Sequence, residues 1–204
     1  MVPDRRADGK CIIVSAPSGA GKTTLVRYLL EHEPSLAFSV SATSREKRAY
    51  ETDGVDYFFI TAEEFRERIA QDGFVEWEEV YPGRFYGTLK HELHRIWNEG
   101  KHPIFDVDVV GGLDLKEIFG PNALALFVAP PSIEALEQRL KDRGTETPET
   151  LRLRVEKAAH ELTFAPRFDT VVVNDDRDRA CSEAYQRVSD FLQATTDTVE
   201  ADPT

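Results

Sequence analysis

Cys11-Ile12-Ile13-Val14 is an apolar run that leads straight into Ser15-Ala16-Pro17-Ser18-Gly19-Ala20-Gly21-Lys22-Thr23-Thr24, and an amphipathic stretch over 25–30 follows at once. A strand, a glycine-bearing loop and a helix, in that order, form the setting that a phosphate-binding loop requires. Gly19 and Gly21 let the backbone curl so that successive N–H groups turn inward. With the N-terminus of the helix, those groups cage phosphate oxygens. Lys22 supplies a positive charge for the β- and γ-phosphates, and the Thr23 hydroxyl is placed to meet Mg²⁺. The spacing G-x-x-x-x-G-K-[ST] asks for glycine at position 16, where this chain carries Ala16.

The rest of the chain supports one α/β domain around this loop. A length of 204 residues is enough for one sizeable core, and 41% apolar residues can fill it. Five apolar runs read as buried strands, over 11–15, 36–40, 104–107, 123–128 and 170–173. Helices are expected over 23–32, 88–99, 114–119, 132–141, 149–164 and 179–192. That alternation predicts a doubly wound, mostly parallel sheet, with the unbroken run 11–15 at its centre. Ligands bind beyond the C-terminal strand ends of such sheets, where the glycine loop, Asp106 and Asp108 all fall. Between the second and third runs lie short strands over 57–60, 74–80 and 85–86, with a turn at Pro82-Gly83. Thr61-Ala62-Glu63-Glu64 is a capping box opening a helix whose Phe65 and Ile69 share one face. This cluster reads as a small antiparallel insertion.

A net charge of −12 repels nucleic acid and anionic lipid, which argues against bulk nucleic-acid binding. The phosphate site is then a local positive patch in a negative protein; a high-salt habitat would leave the same acidity. Cys11 and Cys181 suggest no disulfide framework, as fits a reducing cytoplasm. No apolar run approaches the roughly 18–20 residues of a membrane span. The N-terminal stretch is polar and lacks the apolar core of a signal peptide. Residues 1–9 and 194–204 are expected to be flexible tails.

Three further groupings carry chemistry. Asp106 and Asp108 at a strand end either help to hold Mg²⁺ or cap a turn or helix. Arg45 and Arg48 share one loop, and Arg139, Arg143 and Arg154 surround the polar link over 143–148. Guanidinium groups grip phosphate through a planar fork, and phosphoryl transfer needs positive charge around the moving group; surface ion pairing is the alternative for any single arginine. Glu76 lies beside Trp77, with Tyr57, Tyr81 and Tyr86 not far away in sequence. A carboxylate there accepts two N–H bonds from guanine N1 and N2, a pair of donors that adenine lacks. From spacing alone, a strand surface acid explains Glu76 equally simply.

Over 10–192 the chain resembles the guanylate kinase family. The matching segments include 15–23, 41–48, Asp56-Tyr57-Phe58-Phe59, Phe74-Val75-Glu76-Trp77, Phe85-Tyr86-Gly87-Thr88, Phe105-Asp106-Val107-Asp108, 139–144 and Val173-Asn174-Asp175-Asp176. The resemblance implies an α/β P-loop NTPase fold: a five-stranded parallel core sheet flanked by helices, a small mixed α/β GMP-binding insertion and a helical lid. It divides the chain into a core (10–35, 92–140 and 165–192), a GMP-binding subdomain (36–91) and a lid (141–164). It implies Mg-dependent, in-line transfer of the γ-phosphoryl of ATP to GMP, giving ADP and GDP, in cytoplasmic purine nucleotide metabolism.

By the same resemblance Ala16, Pro17, Ser18, Gly19, Ala20, Gly21, Lys22, Thr23, Thr24 and Asn174 would hold ATP. Arg45, Arg48, Tyr57 and Tyr86 would grip the GMP phosphate. Ser41, Glu76 and Thr88 would read guanine, with Asp108 close by and Glu51 near the pocket. Lys22, Arg139, Arg143 and Arg154 would act on the transferred group, and Thr23 and Asp106 would meet Mg²⁺, the latter through water. No nucleic-acid or membrane partner is implied; monomer or homodimer stays open, as does dGMP as a second acceptor. Val110 departs from a common Gln and is the substitution placed to tune the GMP pocket, and Pro82 resembles a one-residue insertion. Guanylate-kinase-like domains of scaffold proteins keep the fold without activity, but the intact Gly21-Lys22-Thr23 favours an enzyme.

Overall fold

The structure is a computed structural model that describes residues 9–142, 144 and 147–194. In chain order the elements begin with β1 (Cys11–Ser15), α1 (Lys22–His32) and β2 (Leu36–Phe38). The inserted part holds β3 (Ala42–Thr43), β4 (Phe58–Phe59), α2 (Ala62–Ala70), β5 (Phe74–Tyr81) and β6 (Arg84–Leu89). The chain returns through α3 (Lys90–Asn98) to β7 (His102–Val107), α4 (Val109–Phe119), β8 (Ala123–Ala129) and α5 (Ile133–Asp142). It ends with α6 (Pro148–Leu162), β9 (Thr170–Val173) and α7 (Arg177–Gln193).

Five strands form one sheet in the order β2-β7-β1-β8-β9, with every neighbouring pair parallel. β1 is buried at all five positions and lies in the middle, as its unbroken apolar run predicts. Alternate β1 residues feed opposite layers. Ile12 and Val14 pack with Leu25 and Leu29 of α1 and with Ala184 and Val188 of α7. Ile13 packs with Phe105, Phe127, Leu93 of α3, and Leu115 and Phe119 of α4. Each fully buried Leu or Phe contributes about 1.5–3 kcal/mol, so these two layers carry most of the stability.

The insertion is a second, four-stranded sheet in the order β4-β3-β6-β5 with its own core. Phe65 of α2 stacks on Phe74 and Phe85 at ring-centroid distances of 4.2 and 5.1 Å. The capping box predicted at Thr61 is present, with the Glu64 N–H donating to the Thr61 side chain and Glu64 accepting from the Thr61 N–H.

The structure corrects several expectations. The insertion is mixed rather than antiparallel, because β3 and β4 are parallel. Ala42–Thr43 forms a strand that two residues of sequence do not announce. Thr88 and Leu89 continue β6, so the helix expected from 88 begins at Lys90. α4 begins at Val109 rather than 114, despite Gly111 and Gly112, because Asp108 caps it. The tails expected over 1–9 and 194–204 lie mostly outside the described residues. The first residue of the C-terminal stretch is tied down beside the start of the core, with Lys10 Nζ donating to Phe191 O at 2.7 Å and also meeting Ala194 O.

Candidate active site

The loop after β1 enters α1 through Gly21, the N-cap, at φ 103° with no side-chain cap. The first N–H groups of α1 therefore point out of the helix end, as anion binding requires. At Gly21 the space a Cβ would fill is occupied by the Asn174 carboxamide, whose Nδ2 donates to Ala20 O at 2.6 Å. Asn174 in turn accepts from Arg139 Nη2 through its backbone oxygen at 2.7 Å. Arg139 on α5 thus steadies the strand end that braces the loop. Arg154 on α6 donates to Ser18 Oγ at 3.1 Å. Arg143 lies outside the described residues. Ala16 and Ala20 are buried under the loop, while Thr23 and Thr24 are exposed on the first turn of α1.

Lys22 Nζ reaches across to β7, donating to Val107 O at 2.6 Å and lying 2.6 Å from Asp106 Oδ1. Asp108, the next acid, caps α4 by accepting the Gly111 N–H at 2.9 Å. The Ser15 hydroxyl donates to Asp108 O at 2.9 Å, which fixes that strand end beside β1. The capping alternative for Asp108 therefore holds, and it also presents the residue to the cavity.

A cavity of about 310 Å³ lies between the two sheets. Lys22, Asp106 and Asp108 line its core side, and Ser41, Tyr57, Glu76 and Tyr86 line the inserted side. Glu76 Oε1 accepts the Thr88 hydroxyl at 2.6 Å, with Thr88 fully buried. Burial, and then the field of Asp108, push the Glu76 carboxyl up to about 7. Glu78, facing the same way two residues on, is raised by burial and by Asp108. Burial raises the Tyr57 phenol to about 12, so it stays a neutral donor.

Arg45, Arg48 and Glu51 form the neighbouring loop rather than the cavity wall. Glu51 is buried, and its oxygens accept from Arg45 Nη1 and Nη2 at 2.7 and 2.5 Å and from the Arg48 N–H at 2.8 Å. The Arg45 fork, opposed by burial, holds the Glu51 carboxyl down at about 2. The Arg45 guanidinium also lies over the Tyr57 ring, 5.0 Å from its centroid. Arg48 is exposed, with its Nη1 on Tyr50 Oη at 3.1 Å.

Glu78, Arg84, Gly111 and Lys157 line the cavity without having been singled out from sequence. Glu78 was findable, because i and i+2 share one face of a strand. Lys157 was not, since only the path of α6 brings it over the pocket. Val110 is exposed, and the first turn of α4 offers the cavity Gly111 instead. Among the described residues, no group of three or more His, Cys, Asp or Glu is placed to hold a metal ion, and no helix is long and apolar enough to cross a membrane. The Thr23 hydroxyl and Asp106 carboxylate are hard oxygen donors of the type Mg²⁺ takes when phosphate and water supply the remaining ligands.

Comparisons with known proteins give the family. The family model described as guanylate kinase matches residues 8–195. The guanylate kinase of Bacteroides fragilis is 49% identical over 195 residues, spanning 96% of each chain. That of Bacteroides thetaiotaomicron is 51% identical over 188 residues, 92% of each chain. That of Salinibacter ruber is 48% identical over 193 residues, 95% of this chain and all of the relative. Among solved structures, the crystal structure of guanylate kinase from Anaplasma phagocytophilum superposes with a TM-score of 0.74 at 28% identity, covering 92% of this chain and 88% of that one. The chain belongs to the guanylate kinase family and has its P-loop NTPase fold.

Proposed function

From that membership we propose that the chain transfers the γ-phosphoryl of ATP to GMP, giving ADP and GDP, as a Mg-dependent kinase of cytoplasmic purine nucleotide metabolism. The observation that carries this reading is that Lys22 and Glu76 line one cavity from opposite sheets. A phosphate-binding ammonium and a guanine-reading carboxylate then face a single bound pair of nucleotides.

The loop over 16–24 takes the ATP phosphates on its N–H groups and on the end of α1. Lys22 exchanges Asp106 for phosphate oxygens. Glu76, aligned by Thr88, accepts from guanine N1 and N2, with Ser41 and Asp108 beside the base. Arg45, Arg48, Tyr57 and Tyr86 surround the acceptor phosphate, and Glu51 holds Arg45 in place for it. Arg139, Arg143 and Arg154 bring further positive charge to the transferred group, and Asn174 braces the loop at the adenine side. Thr23 and Asp106 would hold Mg²⁺, which when bound neutralises phosphate charge. In-line transfer between two bound nucleotides needs no covalent intermediate. Closure of the subdomain over 36–91 and the lid over 141–164 onto the core excludes water and so suppresses ATP hydrolysis.

The test is ADP release from ATP·Mg²⁺ with GMP, AMP, UMP or CMP as acceptor. Strong turnover with GMP alone supports the reading. Turnover with another acceptor overturns the base assignment, and nucleotide binding without turnover would place the chain with the inactive scaffold domains.

A further inference from the structure

Two crossings of the chain join the sheets. The outgoing one leaves β2 at Phe38 and enters β3 at Ala42; the returning one leaves β6 at Leu89 and becomes α3. The last rung of the parallel sheet on the outgoing side is the Ser39 N–H donating to Ile104 O at 3.0 Å. One residue beyond it, the Val40 N–H has left that sheet and not reached the next.

That amide is met by a side chain from the other crossing. Glu92 of α3 is 3% exposed, and its Oε2 accepts the Val40 N–H at 3.2 Å. Arg95, one turn on, donates from Nε to Glu92 Oε1 at 3.0 Å and from Nη2 to Glu92 Oε2 at 2.9 Å. The same Nη2 donates to Phe38 O at 3.2 Å, and Nη1 donates to Glu99 Oε1 at 2.9 Å. One ion pair therefore grips the outgoing crossing on both sides of Ser39 while standing on the returning one. The Ser39 hydroxyl, 1% exposed, has no protein partner among the described residues.

Simple packing does not account for this arrangement. An apolar side chain at position 92 would fill the same space without bringing a charge out of water, and buried ion pairs are weak contributors to net stability. What a pair with fixed hydrogen bonds adds is a defined geometry. The geometry defined here is that of Val40, and Ser41, the next residue, lines the cavity.

We propose that Glu92 and Arg95 are positioning residues: a clamp across the two crossings that sets how the inserted sheet stands over the phosphate loop, and with it the affinity for the acceptor nucleotide. The proposal rests on the reading that the inserted sheet holds that acceptor. Burial alone would raise the Glu92 carboxyl, but the hydrogen bonds from Arg95 and Val40 outweigh it, so the clamp is charged at neutral pH.

The experiment compares wild type with Glu92→Ala, Glu92→Gln and Arg95→Met. It reads GMP and ATP binding by calorimetry, KM for each in turnover, Tm, and amide exchange over 38–41. Glu92→Ala should weaken GMP about tenfold, leave ATP within about twofold, and speed exchange over 38–41 more than elsewhere. Glu92→Gln, which keeps an acceptor for Val40, should recover part of the loss. Arg95→Met leaves the buried Glu92 charge without its cation and should lower Tm as well. The double variant Glu92→Gln/Arg95→Met, which buries no charge, is therefore added and should still weaken GMP selectively even where Glu92→Ala does not fold. A fall in Tm with unchanged GMP affinity and unchanged local exchange would make Glu92 a fold residue only and overturn the clamp. Wild type that binds ATP but not GMP would instead overturn the acceptor reading on which the clamp depends.

Discussion

Lys22 Nζ lies 2.6 Å from Asp106 Oδ1 and donates to Val107 O at the same distance, so the loop cation is tied to the end of the neighbouring strand. On the proposed reading, ATP phosphates would compete with Asp106 for this ammonium.

Lys22→Ala should therefore lower turnover by about 10²-fold or more, since it removes a charge that acts on the transferred group. It also leaves Asp106 without its partner. Adding Asp106→Asn should restore part of the lost Tm without restoring turnover. Near-normal activity of Lys22→Ala in the coupled assay would rule out the assigned role.

The raised Glu76 carboxyl, at about 7, gives a pH dependence with a defined sign. Guanine N1 and N2 are donors, so GMP selects the ionised form, and KM for GMP should rise as pH falls below about 7 while KM for ATP changes less. The folded value lies above the usual carboxylate value of 4.5, so the fold loses stability as pH rises from there through about 7. Glu76→Gln should raise stability at pH 8, by on the order of 3 kcal/mol, while damaging GMP use. A Tm at pH 8 below that of wild type would contradict the burial argument.

Glu51 shows the opposite sign. Its carboxyl is held at about 2, so its contribution is present above the usual 4.5 and is lost as pH falls through about 2. Glu51→Gln should cost about 2 kcal/mol at pH 7, and the difference from wild type should shrink in acid. It should also raise KM for GMP, because the Arg45 fork loses its anchor. Melting curves at pH 7 and pH 3 provide the check.

Gly21→Ala meets two obstacles, a φ of 103° and the Asn174 carboxamide in the space of the new methyl. A cost of about 1–3 kcal/mol is expected, with weakened ATP binding. Asn174→Ala in the same background should recover some stability, because it opens that space. No recovery would mean that backbone strain alone sets the cost.

The parallel sheet was legible because its strands are apolar runs bounded by helices, and the unbroken run 11–15 marked the central strand. The order of the others was not read, and 170–173, expected to be buried, is an edge strand with Val171 and Val173 exposed. The loop was legible because a short glycine-bearing turn ending in Gly21-Lys22-Thr23, between the run Cys11-Ile12-Ile13-Val14 and an amphipathic stretch, has few other uses. The start of α4 was not, because Val109-Val110-Gly111-Gly112 has poor helix propensity; the Asp108 cap and packing against β1 override it. β3 was hidden because two residues carry no period, and its pairing comes from β6 and β4. Arg45 and Glu51 were assigned to the pocket only by resemblance; the structure sets them in the neighbouring loop, joined by an ion pair that the sequence pattern did not announce. Lys157 and the Glu92–Arg95 clamp likewise depend on where whole helices come to rest, which local pattern does not encode.

The separate core of the insertion bears on how this chain folds. β2 and β7 are direct neighbours, yet the whole second sheet lies between them in sequence. Closing so long a loop is slow for a flexible chain. A segment that first gathers Phe65, Phe74, Phe85 and Leu89 into its own cluster brings Phe38 and Lys90 close together beforehand. The inserted sheet would then act early, as a splint that lets the parallel sheet zip from β1 outward, and a mutation in its aromatic cluster would slow assembly of a core whose cluster is separate from its own.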